Sequence, residues 1–455
     1  MGAELEEAKE IIDQHLNEEN EKVDLTPYDL AQHLKTLKKH DEDLYNEYLE
    51  KLDPESLGDV AIELPDHMLK DVIETIPSEK IVEALEELES DDATDLLQYI
   101  EDIDEEKAKE LFDGLDKEDQ DEILRLRSYD ENEAGAYMQT ELFSANLNEK
   151  LSTAVERLRE QKELGELENV SQLFITDERH ILKFAIPLED LILFDFNSSL
   201  KDIIEKSEED KYKPHVAMDN DPIEEVVEVV QDYDMNSIAV VDTRGVLLGR
   251  ITTDDIHDFI QERATEQIYN LANVGDADEE ENSLLNATRS RGIWLFVNLF
   301  TAIISSSIIG LFDDAIASYV ALAVLMPIVA SMGGNTGTQA LTVTVRRLAL
   351  GEIEFKNAKP ALIRELGIAF INGLIFAVLI GLVAAFWFNR PMLGVVIGTA
   401  MLTNFFFAGF FGTVIPLALK KFNIDPAVGS SVLLTTVTDV VGFFSFLGLA
   451  KWILL

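Results

Sequence analysis

Gly292-Ile-Trp-Leu-Phe-Val-Asn-Leu-Phe-Thr-Ala-Ile-Ile-Ser-Ser-Ser-Ile-Ile-Gly-Leu-Phe312 runs for 21 residues without a charge. A helix of that length is roughly 31 Å long, the thickness of a bilayer's hydrocarbon layer. Similar apolar runs follow at 315–345, 363–389, 391–419 and 428–450, so five membrane spans are expected. The stretch before residue 290 is different in kind. The 455-residue chain carries 37 Lys+Arg and 87 Asp+Glu, a net charge of −50. Only ten basic and seven acidic residues follow position 290, so the whole acidic excess, and all 7 histidines, precede it. That charge excludes nucleic acid as a partner, because phosphate binding needs Lys and Arg. The lack of cysteine excludes disulfides, thiolate metal sites and thiol catalysis.

Loop charges orient the spans. Arg289 and Arg291 precede the first, Arg346, Arg347, Lys356 and Lys359 follow the second, and Lys420 and Lys421 follow the fourth. The opposite side carries Asp313, Asp314, Arg390 and Lys451. The positive-inside rule then places the acidic N-terminal part in the cytoplasm and the C-terminus outside, in a bacterial inner membrane. The acidic, polar N-terminus reads as no signal peptide.

Within the spans as read, Asp439 is the only ionisable residue at depth. Ser431, Thr435 and Asp439 are spaced by four and share a helix stripe. A carboxylate at mid-membrane is costly unless it meets water, protein or a cation. The second span carries Pro327 and then Gly333-Gly-Asn-Thr-Gly-Thr-Gln339, where glycine and proline allow bending and Asn335, Thr338 and Gln339 are polar at membrane depth. Close packing of small residues is the competing reading of this segment. Asn404, with Pro416, gives a weaker hint of the same kind in the fourth span. The block has no His or Cys, so its ligands are oxygens, which suit a hard cation, Mg²⁺ first. One carboxylate per chain is too few for a divalent ion; two chains about a two-fold axis would present two.

In the cytoplasmic part, Leu52, Leu64, Ile76, Leu88, Ile103 and Leu115 recur at about twelve residues, each before a short amphipathic helix, which reads as an α-solenoid. Residues 135–260 read as α/β in two similar halves. Strands are expected at Gln172–Thr176, 182–185, 215–218, Ser237–Val241 and 247–251, with helices at 151–161 and 222–232. Asp255, Asp258, Glu262 and Glu266 form an acid ladder at helical spacing, which repels itself unless cations bind. A further acid run, Asp276, Asp278, Glu279, Glu280 and Glu281, reads equally as a linker.

The second α/β half, from Val216 to Ile256, resembles a CBS module, and the half before it a degenerate partner. Thr252-x-x-Asp255 matches the ribose-binding pattern of such modules, which implies an adenine nucleotide such as ATP; a purely structural pair is the competing reading. The full order resembles the MgtE magnesium channel family over residues 25–455: acidic solenoid, CBS pair, acidic connecting helix, then five spans with the Gly-Gly-Asn-Thr-Gly-Thr-Gln and Thr-x-Thr-Asp motifs. The resemblance implies an acidic segment at 1–24, a helical N domain at 25–132, CBS domains at 133–198 and 199–260, a connecting "plug" helix at 261–287 and a five-helix pore domain at 288–455. It implies a homodimer with its pore between subunits, Mg²⁺ held by Asp439 with Thr435, and a pore lining and gate of Asn335, Thr338, Gln339, Leu341, Thr342 and Asn404. Cytoplasmic Mg²⁺ would bind Asp91, Asp95, Glu224, Asp234, Asp255, Asp258, Glu262 and Glu266 and hold the gate closed. Where relatives have acids in the plug, this chain has Arg263 and Gln267. The remaining alternatives are a transporter of Co²⁺ or Mn²⁺ and a non-transporting membrane sensor. No nucleophile–base pair, phosphate loop or His cluster points to an enzyme.

Overall fold

The structure, a computed structural model, describes residues 2–16, 25–165, 167, 169–208, 210–272, 274, 284–422 and 424–455. The expected acid run at Asp276–Glu281, the end of the expected plug helix and part of the 1–24 segment lie outside the described residues. The chain divides into two units, 1–260 and 261–455.

Among the described residues of the first unit nine helices come first: α1 (Gly2–Leu16), α2 (Pro27–His40), α3 (Glu42–Lys51), α4 (Pro54–Glu63), α5 (Asp66–Thr75), α6 (Ser78–Glu86), α7 (Ser90–Ile103), α8 (Glu105–Gly114) and α9 (Lys117–Leu126). The even-numbered α2, α4, α6 and α8 pack in succession, as do the odd-numbered α3, α5, α7 and α9. This makes two layers, as the repeat implies. Its physical basis is a shared corner. Leu52, Leu64, Ile76 and Leu115 are C-caps whose backbone N–H bonds back into the preceding helix, and all four side chains are buried. An aspartate then caps the next helix in several repeats: Asp53 Oδ1 accepts from Ser56 N at 3.0 Å, and Asp104 Oδ1 from Lys107 N at 3.0 Å. Helix α1 falls in the expected acidic segment, yet its Ala8 and Ile12 are buried in the same core.

Two three-stranded sheets follow: β1 (Ser144–Asn146), β2 (Gln172–Thr176) and β3 (Leu182–Pro187), then β4 (Val216–Met218), β5 (Ser237–Val241) and β6 (Leu247–Thr252). In each, the first pair is parallel, the second antiparallel, and a bulge falls at the same place in the middle strand, Ile175/Thr176 and Val240/Val241. The two halves are therefore copies of one unit, with α10 (Leu151–Glu163), α11 (Leu188–Leu191) and α12 (Leu200–Lys206) in the first and α13 (Ile223–Asp232) in the second. The expected boundary at 198/199 does not match the cores. Leu200 and Ile203 of α12 pack with the first half, whereas Ala134 and Met138 pack with the second. Gln139 explains the latter, because its backbone pairs with Arg250 of β6 in both directions, at 2.8 and 2.9 Å.

Helix α14 (Thr253–Ala272) carries the chain across the division at 260/261. The second unit holds α15 (Leu284–Gly310), the short α16 (Asp313–Ser318), α17 (Val320–Ala349), α18 (Lys359–Trp387), α19 (Pro391–Lys421) and α20 (Ser430–Leu454). Five of these are long and apolar enough to cross a membrane. Three features bear on the expected spans. Residues 313–318 form a separate helix that ends at Tyr319, so the second span begins at Val320. Helix α17 is continuous through Pro327 and its glycines. Helix α18 starts at Lys359, so Arg364 and Glu365, already inside the expected run at 363–389, lie in its second turn, and Glu365 is buried where α18 meets Gly409 of α19.

Candidate functional site

Helix α19 lies at the centre of the membrane bundle, packed on α17, α18 and α20. The glycines of the second-span motif serve this packing. A Cβ on Gly333 would lie 2.0 Å from Asn404 Nδ2, and one on Gly337 3.0 Å from Leu434. Asn404 is fully buried where α17, α19 and α20 meet, and its Nδ2 donates to Val329 O at 2.9 Å. It joins helices and does not line an exposed surface. Leu341 differs from expectation too. It is 1 % exposed and packs with Val345, Ala427 and Leu434, and Leu271 from the end of α14 packs against this cluster. Beside it Asn270 Nδ2 donates to Asp425 Oδ2 at 3.2 Å. The end of the connecting helix therefore docks on α17 and α20 through Leu341.

The remaining expected pore residues lie on the chain's surface. Asn335, Thr338, Gln339 and Thr342 are exposed along α17. On α20, Thr435 is exposed and Asp439 half-buried, one turn apart, while Val432, Leu434, Thr438 and Gly442 take the packed side. Gly337 against Leu434, and Val329 beside Gly442, set α17 antiparallel to α20 and bring Asp439 level with about Met332.

In the first unit the start of α7 meets the β6–α14 corner. The carboxylate oxygens of Glu89, Asp91 and Asp92 come within 4.8 Å of one another. Asp91 is buried, its Oδ1 accepts from Asp92 N at 3.0 Å, and its Oδ2 has no hydrogen-bond partner. Burial first, then Asp255, Asp92 and Glu89, push the Asp91 carboxyl well above the ordinary carboxylate range. Burial, Asp255 and Glu89 push Asp92 up to about 8. Burial and Asp254 push Asp255 up to about 6, against hydrogen bonds from Thr252. Asp258 is also raised, by burial and Asp254, with His257 opposing. In this set the carboxylates outnumber the Arg250 guanidinium that reaches Glu89, and an oxygen-loving divalent cation is the ligand whose charge and donor preference fit it.

The structure thus brings Asp91, Asp255 and Asp258 together, with Asp95 acting on Asp92. It adds Glu89, Asp92, Asp254 and Arg250, which the sequence reading missed. Arg250 is 2 % exposed, reaches Glu89 at 3.4 Å and donates to Asn169 O at 3.2 Å, while Gln139 Nε2 donates to Glu89 at 2.8 Å. Glu224 and Asp234 belong to another element, α13 and the turn after it. Glu266 pairs with Arg263 at 2.5 Å, so the departure at Arg263 supplies an internal counter-ion. Thr252 Oγ1 donates to Asp255 Oδ2 at 2.8 Å, and the ribose-pattern pair is closed on itself.

Sequence comparisons agree with this layout. A family model described as a divalent cation transporter, MgtE, matches residues 326–449; a model of the MgtE intracellular N domain matches 25–132, and a CBS-domain model 200–262. The magnesium transporter MgtE of Thermus thermophilus is 30 % identical over 73 % of this chain and 72 % of its own length. That of Enterococcus faecalis is 32 % identical over 72 % and 71 %. Among solved structures, the cytosolic domain of the Mg²⁺ channel MgtE in complex with ATP is 25 % identical and covers 57 % of this chain and 100 % of its own, with a TM-score of 0.48. The soluble part of a magnesium transporter is 27 % identical, covering 58 % and 99 %, with a TM-score of 0.49.

Proposed function

The chain belongs to the MgtE family of magnesium transporters, and on that premise we propose that it is a Mg²⁺ channel of the bacterial inner membrane, closed by Mg²⁺ at its acidic cytoplasmic part. The observation that carries the reading is the position of Asp439. It stands with Thr435 on the surface of a single chain, not in its interior. Carboxylate and hydroxyl facing hydrocarbon would be costly, so a second copy of the chain completes the site. Two Asp439 side chains across a two-fold axis match the ion's charge. Mg²⁺ sheds water reluctantly, and the hydroxyls and amides of Thr435, Asn335, Thr338 and Gln339 hold an ion through its waters.

Closure follows from the acid junction. With no cation, the carboxyls of Asp91, Asp92 and Asp255 either hold protons or repel one another and Asp254 across the α7–α14 contact. A bridging Mg²⁺ replaces repulsion by attraction and favours the closed arrangement. Helix α14 begins at that junction, and Leu271 in its last turn packs against Leu341 of α17. The cytoplasmic Mg²⁺ level thereby sets the position of the gate, as negative feedback on uptake. An adenine nucleotide at the CBS pair would draw on the same Asp255 and so compete with this ion. Mg²⁺ flux into liposomes, compared between wild type and Asp439→Ala, tests conduction. Limited proteolysis of the full chain tests closure. Equal cleavage rates in millimolar Mg²⁺ and in EDTA would sink it.

A further inference from the structure

Helix α18 carries one amide. Between Gly367 and Phe386 every side chain is apolar except Asn372. It faces a crevice of about 340 Å³ between α17 and α18, lined also by Asn335, Thr336, Thr338 and Gln339, with Phe405 of α19 among the apolar lining. Thr336 is satisfied locally, its Oγ1 donating to Met332 O at 2.9 Å. The amides of Asn335, Gln339 and Asn372 make no side-chain hydrogen bond within the described residues. Three unsatisfied amides at membrane depth are incompatible with lipid tails, since each unmet donor or acceptor costs several kcal/mol there. At about 30 Å³ per water the crevice has room for about ten waters, more than the six of a fully hydrated Mg²⁺. Asn335 and Thr338 stand both at its rim and on the exposed face of α17, so the crevice opens onto the surface assigned above to the pore.

We propose that this crevice is a water-filled side chamber of the ion pathway, and that Asn372 is a positioning residue that holds shell waters of a hydrated divalent cation. The inference rests on the channel reading for the ion, but not for the water. An amide that binds the hydration shell favours an ion that keeps its waters, Mg²⁺ over Mn²⁺.

The chain has no cysteine, so single thiols can be introduced without background. Asn372→Cys, Asn335→Cys and Ile375→Cys are treated in membranes with a cationic, membrane-impermeant methanethiosulfonate reagent. Ile375 lies on the exposed apolar face of the same helix. Asn372→Cys should label within about tenfold of Asn335→Cys, with Ile375→Cys inert. Asn372→Cys as inert as Ile375→Cys overturns the chamber. Millimolar Mg²⁺, at constant ionic strength, should slow Asn372→Cys labelling about threefold; an unchanged rate overturns the ion-holding role. In flux assays Asn372→Leu should lower the Mg²⁺:Mn²⁺ ratio about threefold, and Asn372→Gln should restore it. An unchanged ratio in well-folded Asn372→Leu also overturns the positioning role. A wild type that conducts no Mg²⁺ but shows the labelling pattern refutes the channel and leaves the chamber standing.

Discussion

Mg²⁺ binding at the cytoplasmic junction should expel protons, because burial and neighbouring carboxylates hold Asp91, Asp92 and Asp255 above the ordinary carboxylate range. The perturbation is titration of Mg²⁺ into the full chain carrying Asp439→Ala, which removes the carboxylate assigned to the pore. At pH 7 a carboxyl at about 8, as at Asp92, is about 0.9 protonated, and one at about 6, as at Asp255, about 0.1. Asp91 is raised in the same direction, by burial first and then by Asp255, Asp92 and Glu89. The ion must displace these protons to reach the oxygens, so a release of about one proton per chain or more is expected at pH 7. At pH 9 the Asp92 share falls to about 0.1. Calorimetry in two buffers of different ionisation enthalpy measures the number directly. Asp92→Asn should remove about 0.9 of it. Mg²⁺ binding at pH 7 with no proton release would refute the account of the cluster. The sign of the metal-free pH dependence follows from the same shifts. The folded junction keeps protons that the unfolded chain releases, so its stability is greatest below the ordinary carboxylate pKa and is lost as pH rises through about 6 and about 8.

Other outcomes can be checked more simply. Gly333→Ala should disrupt the α17–α19 contact, because its Cβ would fall 2.0 Å from Asn404 Nδ2; thermal unfolding in detergent should show a lower Tm, whereas Gly334→Ala, with open space around it, should not. Arg250→Met leaves the Glu89 carboxylate without its buried cation and should destabilise the cytoplasmic part by about 3 kcal/mol in urea unfolding. Arg263→Gln removes the counter-ion of Glu266 and should lower the Mg²⁺ concentration that protects against proteolysis.

Much of the fold is legible because its signals are local. The twelve-residue rhythm marks the corners, and the helices begin two residues later, at Pro54, Asp66, Ser78 and Ser90. Short runs of β-formers recover β2 and β5 to the residue and β4 to within one, while β1, Ser144–Asn146, holds no such run. The site is legible where one helix holds it, as at Thr435 and Asp439. It is not where elements far apart in sequence meet. The family resemblance selects Asp91 and Asp95 on α7, but the start of that helix faces β6 and α14 with Glu89 and Asp92 as well. Arg250 reads as an ordinary strand residue until its β-strand is seen against Glu89, 161 positions away. Asn404 and Leu341 look like pore residues because polarity and position along a span are visible in sequence, whereas the face a helix turns to its neighbours is not.

The central claim is that Asp439 holds the transported ion, and Mg²⁺ influx into proteoliposomes tests it most directly. Wild type should load the vesicles along an imposed Mg²⁺ gradient. Asp439→Ala, reconstituted at equal amount and with the same Tm, should not load above empty vesicles. Asp439→Ala flux equal to wild type would contradict the account.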